Sequence, residues 1–147
     1  MMTKKTILQI PVEEQIREFD AKLLLACIAA KRGYSSVIGN RKELKSRIAS
    51  FPGSIYISKD LRSGSKRKFE IMRQLGYKIV AWDEEAVVHQ PPAIYFSRRL
   101  SPLAIKHASH LFAWGENSAK LWRQYPDLPQ GTTILHHRQP AGRLTAA

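Results

Sequence analysis

Three consecutive carboxylates, Asp83, Glu84 and Glu85, directly follow the apolar run KIVAW. Like charges about 6 Å apart repel by roughly 0.7 kcal/mol in water and about 3 kcal/mol at an effective dielectric of 20. Such a group therefore needs basic partners or must take up a proton. Two interpretations remain open. The acids lie in a solvated loop and one caps the next helix, or they line a cleft where carboxylates orient sugar hydroxyls or act as a general base.

A second charged group lies in the stretch VEEQIREFD, which contains Glu13, Glu14, Arg17 and Glu18. It is consistent with helix capping plus a surface ion pair, and equally with a loop that faces a ligand. No G-x-G-x-x-G motif follows the apolar run before it, so dinucleotide binding through a glycine-rich turn is not expected. We predict no cofactor.

Basic residues accumulate between positions 59 and 73, where the chain carries Lys59, Arg62, Lys66, Arg67, Lys68 and Arg73. This pattern is consistent with a solvated helix face, with contact to phosphate or anionic lipid, or with nucleic-acid binding. Aromatic residues do not alternate with these charges as they do in stacking platforms, so nucleic acid is not the expected partner. Arg98 and Arg99, or this basic segment, are candidates to neutralise the acids after Trp82.

The composition indicates one domain with a real core and a strong affinity for anions. The chain has 147 residues, 44% of them hydrophobic, and a formal net charge of +12. The single cysteine, Cys27, cannot form a disulfide within the chain, so a reducing compartment is expected. His136 and His137 would point to opposite faces of a strand, and no metal site is predicted. Without a long apolar run or a cleavage site, a cytoplasmic protein is expected, with peripheral contact to an anionic inner membrane left open.

Apolar runs of strand type alternate with helical patterns along the whole chain. We predict strands at 6–12, 35–38, 54–58, 78–82, 111–114 and 132–135. Helices are expected at 20–32, with Asp20 as the cap, at 42–50, within 59–76, at 101–108 and at 117–125. This order is typical of an α/β fold, a Rossmann-like three-layer α/β/α arrangement with a mainly parallel sheet. Ligands of such sheets bind beyond the carboxyl ends of the strands, where the two acidic groups, Lys59 and Gly115 should gather. We expect Phe112, Trp114 and Trp122 in the core.

Several segments together resemble a known family: IPVEEQIREFDAKLLLACIAAKRGYSSVIGNRKEL, YISKDL, KIVAWDEEAVV, RRLSP and LFAWGENSAKLW. In order and spacing they resemble bacterial surface carbohydrate (surface polysaccharide) biosynthesis proteins, which are glycosyltransferase-like proteins of the two-domain GT-B type. The resemblance implies that residues 1–135 form the acceptor-side domain. It implies that the acceptor is a sugar or a lipid-linked molecule. It also implies that a nucleotide-sugar binds only when a second domain is present, and that this domain alone has little transferase activity. Candidate catalytic residues are Glu13, Asp83, Glu84 and Glu85; candidate substrate-binding residues are Glu14, Arg17, Glu18, Lys59 and Gly115.

The last residues depart from that family pattern. Its members continue with Thr-Gly-Asn-Pro-Arg-x-Asp, whereas this chain reads HHRQPAGR from residue 136. A coding sequence for HHRQPAGR exists that yields Ile-Thr-Gly-Asn-Pro-Arg-Ala when read one base later. We therefore expect residues 136–147 to be an irregular tail produced by out-of-frame translation. The alternative function is a stand-alone basic Rossmann-like module that binds nucleic acid or anionic lipid without catalysis.

Overall fold

The computed structural model describes residues 4–84 and 90–136. The strands are β1 (Ile7–Val12), β2 (Ser35–Asn40), β3 (Ile55–Ser58), β4 (Lys78–Ala81), β5 (Ala108–Ala113) and β6 (Thr133–His136). The helices are α1 (Gln15–Lys31), α2 (Arg41–Ser46), α3 (Lys66–Gln74), α4 (Pro92–Arg99), α5 (Pro102–Ile105) and α6 (Glu116–Arg123). Short 3-10 turns lie at Ile48–Ser50 and Ser63–Ser65.

The strands form one parallel sheet in the order β2-β1-β3-β4-β5-β6, which confirms the predicted Rossmann-like three-layer α/β/α fold. From β1 the chain first steps to one side, to β2, and every later crossover steps to the other side. Because crossovers between parallel strands are right-handed, α1 packs on one face and the later helices on the opposite face. The order reverses between β1 and β3, and ligands of doubly wound sheets bind beyond that point.

Most element positions agree with the sequence prediction, and three differ. Helix α1 begins at Gln15 rather than at Asp20, so Asp20 is an interior residue and not a cap. Strand β5 begins at Ala108, whereas the sequence predicted a helix up to residue 108 and a strand only from residue 111. Helix α4 was not predicted, although Pro91-Pro92 at its start is a regular signal for a first helical turn.

The larger core lies beneath α3 to α6. Phe69, Met72, Ile79, Leu111 and Trp122 are fully or almost fully buried there. These positions come from the alternate strand residues that share one face of the sheet and from the inner sides of the helices. This face gives the domain its main apolar stabilisation.

The opposite face of the sheet has a smaller core and an open apolar area. Helix α1 covers Leu8 and Ile10 of β1. On the strands beyond β3, Phe112 is 36% exposed and Trp114, just after β5, is 47% exposed. The expectation that these two aromatics are core residues was wrong, whereas Trp122 is buried as predicted. The reason is the topology, because only the crossover from β1 to β2 places a helix on this face among the described helices.

Candidate functional site

A cluster of ion pairs lies at the carboxyl edge of the sheet, at the reversal of strand order. Lys59, which follows β3, places its Nζ 2.9 Å from Oε2 of Glu13 and 2.6 Å from Oε1 of Glu18. Glu13 follows β1, and Glu18 lies in the first turns of α1. The structure thus brings together three residues that the sequence predicted for one site.

A second ammonium completes the cluster from inside α1. Nζ of Lys22 donates to the carbonyl oxygen of Pro11 at 2.7 Å and lies 3.1 Å from Oε2 of Glu18. It also pairs with Oε1 of Glu84 at 2.8 Å, while Lys59 Nζ lies 3.7 Å from the other oxygen of Glu84. Lys22 and Lys59 therefore contact three carboxylates, Glu13, Glu18 and Glu84, in a largely buried network.

The network shifts the pKa values of Glu18, Glu13 and Lys59. Burial alone would raise the pKa of Glu18, but hydrogen bonds from Lys59, from the Glu13 N–H and from Lys22 outweigh it and lower that pKa to about 2. The hydrogen bond from Lys59 lowers the pKa of Glu13 against the opposing effect of its partial burial. Burial lowers the pKa of Lys59, and its bonds to Glu18 and Glu13 outweigh that effect and raise it. A carboxylate with a pKa near 2 is a weak base, so Glu18 is suited to positioning and charge rather than proton abstraction.

Arg41 and Asp60 extend the cluster toward α2 and the loop after β3. Arg41 pairs with Glu13, and its Nη2 lies 3.6 Å from Oδ2 of Asp60. Burial would raise the pKa of Asp60, but the Arg62 N–H, the charges of Arg62 and Arg41, and the hydroxyl of Ser65 together lower it. The cluster is therefore continuous from α1 to the start of α3.

Asp83 belongs to a separate network that faces the larger core. Its carboxylate accepts hydrogen bonds from Tyr95 Oη at 2.7 Å and from Arg99 Nη2 at 2.5 Å. Trp122 Nε1 donates to Tyr95 Oη at 2.8 Å, and Trp114 Nε1 donates to the backbone oxygen of Asp83 at 2.7 Å. Arg99 thus supplies the counter-charge expected for this acid, and the buried carboxylate ties α4 and α6 to the end of β4.

A pocket of about 220 Å³ lies between α1 and the ends of the central strands, on the open face of the sheet. Its apolar wall includes the rings of Trp82 and Trp114, whose centroids lie 5.6 Å apart at an interplanar angle of 54°. Its polar wall is formed by Arg17, Glu18, Lys22 and Glu84. The arrangement of two indoles beside two carboxylates, a guanidinium and an ammonium is suited to a polar ligand with an apolar face.

The remaining predicted site residues lie around this pocket or outside it. Glu14 and Arg17 are exposed on α1 and pair with each other at 3.6 Å. Gly115 precedes α6, and a Cβ at this position would meet no atom within 4 Å. Glu85 lies outside the described residues, so its predicted role is not addressed by the structure.

Several members of the cluster were not predicted from the sequence. Lys22 stands four residues after Glu18, a spacing that indicates a helical ion pair once α1 is known to begin at Gln15. Arg41, Asp60 and Tyr95 have no local signal, because their partners are distant in the sequence and meet them only through the sheet order.

Within residues 4–84 and 90–136, no group of three or more histidine, cysteine or acidic side chains is arranged to hold a metal ion. No helix in the same ranges has both the length and the apolar character needed to cross a membrane. No protein-family model matches this sequence, and the search of curated proteins gives no match.

Proposed function

We propose that this domain binds a sugar-bearing acceptor, as the acceptor-side half of a glycosyltransferase-like protein in cell-surface polysaccharide synthesis. The observation that carries the proposal is the pocket in which Trp82 and Trp114 stand beside Glu18, Glu84 and Arg17. The C–H face of a pyranose ring packs on an indole, and its hydroxyls donate to carboxylates. The family resemblance of the sequence points independently to a sugar ligand.

Within this proposal the acids have different roles. Glu84 lines the pocket and its side chain is 23% exposed, against 4% for Glu18, so it is the acid that an acceptor hydroxyl can reach to transfer a proton. Glu18 stays ionised and holds the two lysines in place. Asp83 supports the pocket indirectly, because its backbone oxygen orients the indole of Trp114. Glu13 and Lys59 do not line the pocket but contact Glu18 behind its wall, and Arg17, which lines the pocket, is the counter-ion for a phosphate on the acceptor.

Catalysis is expected only together with a domain that binds the nucleotide-sugar donor. Binding is therefore the property to measure on this chain. We would use saturation-transfer NMR with a panel of methyl pyranosides, amino sugars and their disaccharides. Trp114→Ala should weaken binding by about tenfold, because loss of an aromatic contact costs on the order of 1.4 kcal/mol. Glu84→Gln should weaken it as well, because the amide accepts hydrogen bonds less strongly than the carboxylate.

Tyr34→Ala is the matched control, because Tyr34 is an exposed aromatic that does not line this pocket. The proposal fails if no sugar of the panel gives a saturable signal, or if Tyr34→Ala and Trp114→Ala lower the affinity equally.

A second candidate, a binding module for nucleic acid or anionic lipid, is favoured by one observation, the formal net charge of +12. Filter binding and vesicle sedimentation at rising salt would separate the two functions. Affinity for a polyanion should fall steeply with salt, whereas affinity for a neutral pyranoside should not change.

A further inference from the structure

A second cavity lies on the other side of the sheet, between α2 and the loop that leads into α3. Its volume is about 460 Å³, and its wall carries four basic residues, Arg41, Lys42, Lys45 and Lys68. Among the described residues, Glu13 is the one acid that lines it, and this carboxylate is already bound to Arg41 and Lys59. The cavity therefore has an excess of positive charge that its own lining does not neutralise.

Lys68 is the member of this lining that most clearly lacks a counter-ion. It is only 8% exposed, and the one hydrogen-bond acceptor of its Nζ among the described residues is Tyr56 Oη, at 3.2 Å. The ammonium lies over the rings of Tyr56 and Phe69, at 4.8 and 5.3 Å from their centroids. No carboxylate in residues 4–84 or 90–136 lies within ion-pair distance of it. An ammonium has three donors, so two remain for a ligand.

The loop on this side of the cavity contributes Gly64 and Ser65 to its wall. The 3-10 turn Ser63–Ser65 runs directly into α3, and the side chain of Ser65 donates to Asp60 at 3.1 Å instead of capping the helix. The N–H of Ser65 donates to the backbone oxygen of Arg62 at 3.0 Å and that of Lys66 donates to the backbone oxygen of Ser63, so these two groups at the helix start are already bonded. Gly64 also lines the cavity, and a Cβ there would meet no atom within 4 Å.

We propose that this cavity binds the phosphate group of a small phosphorylated molecule. Lys68 supplies a buried cation with free donors, and Lys42 and Lys45 supply exposed cations. A phosphate dianion offers three strong acceptor oxygens, which match this set of donors. The volume holds a phosphate together with a ring or a second phosphate. The site is separate from the tryptophan pocket, because the two cavities share no lining residue, and it does not depend on the proposed function.

The test is calorimetric titration of the full chain with inorganic phosphate and with pyrophosphate at constant ionic strength. We expect saturable binding, with pyrophosphate the tighter ligand because it carries more charge. Lys68→Met should weaken pyrophosphate binding by about tenfold or more, as expected for the loss of one charge-assisted hydrogen bond. Lys66→Met is the matched control. This variant removes the same charge from the same helix, but Lys66 pairs with Glu70 and does not line the cavity. The affinity of Lys66→Met for pyrophosphate should therefore stay within about twofold of the parent's.

Gly64→Asp provides a second variant that leaves Lys68 in place. The position has room for a side chain, and the added carboxylate would repel the ligand and abolish binding. Circular dichroism and the melting temperature of each variant would show that it is folded. The proposal is overturned if pyrophosphate does not bind in a saturable manner, if Lys66→Met and Lys68→Met lose equal affinity, or if folded Gly64→Asp binds like the parent.

Discussion

The buried charge of Lys68 should destabilise the folded protein by a measurable amount. Burial lowers the pKa of Lys68 from its ordinary 10.5 to about 8, with the charge of Arg41 adding to the effect. A lowering of this size corresponds to about 3 kcal/mol against the folded state at pH 7. Replacement by methionine removes that cost and keeps the volume, but Tyr56 Oη loses its donor, which costs about 1 kcal/mol. We expect Lys68→Met to be more stable than the parent by about 2 kcal/mol at pH 7.

The pH dependence carries the sharper test, because its sign is fixed by the direction of the pKa change. Between pH 8 and 10.5 the unfolded chain binds a proton at Lys68 that the folded protein releases, so the stability of the parent rises with pH in this window. The variant lacks this gain. Its advantage over the parent should therefore shrink by about 2 kcal/mol between pH 7 and pH 9.5.

Urea unfolding followed by tryptophan fluorescence, at both pH values, measures the difference directly. Lys66→Met serves again as the control, because Lys66 is partly exposed and its pair with Glu70 should contribute less than about 0.5 kcal/mol. A Lys68→Met protein that is 1 kcal/mol or more less stable than the parent at pH 7 would refute the reasoning. An equal stability difference between Lys68→Met and the parent at pH 7 and pH 9.5 would also refute it.

Three further predictions concern the other charged networks and the open face. The stability that Glu18 contributes should be complete above its ordinary pKa of 4.5 and be lost as pH falls toward 2. In Glu18→Gln, the free energy of unfolding should therefore depend less on pH in that window. An unchanged acid transition would contradict the pairing. Asp83→Ala should lower the free energy of unfolding in urea by about 3–5 kcal/mol because it removes the buried carboxylate to which Tyr95 and Arg99 donate, whereas Glu14→Ala at an exposed ion pair should change it by less than about 0.5 kcal/mol. Equal effects would argue against the network. Phe112→Lys should lower the molar mass that static light scattering gives at high protein concentration, because Phe112 is exposed on the open apolar face. An unchanged molar mass would mean that this face does not drive self-association.

The fold could be predicted because its signals are local. The apolar runs and helical patterns repeat with short connections, and this alternation alone favours a parallel sheet with helices on both sides. The gathering of Glu13, Glu18, Lys59 and Glu84 also followed from the sequence, because carboxyl ends of parallel strands meet at one edge. The start of α1 was misplaced because Asp20 is a good cap by type, although the chain is already helical from Gln15.

The open face and the basic cavity could not be predicted in the same way. Whether an aromatic such as Trp114 is covered depends on which side each crossover takes, and the strand order decides that. In the sequence, Lys68 is one of several basic residues in a row. The local sequence does not indicate that Lys68 is buried while its neighbour Arg67 is exposed. Its burial arises because α3 turns this side chain toward Tyr56 of β3.

The three adjacent acids after β4 need not share one function, and the two that the structure describes have different surroundings. Asp83 points toward the larger core and holds α4 through Arg99 and Tyr95, so a loss of activity in Asp83→Ala would report lost structure as well as lost chemistry. Glu84 points to the other side, where it contacts two lysines and lines the tryptophan pocket. Successive residues of an extended chain face opposite ways, and this alternation separates a structural acid from a site acid one position apart. The residue to replace in a test of proton abstraction is therefore Glu84, with the isosteric glutamine, because this change removes the base and leaves the support of the pocket in place.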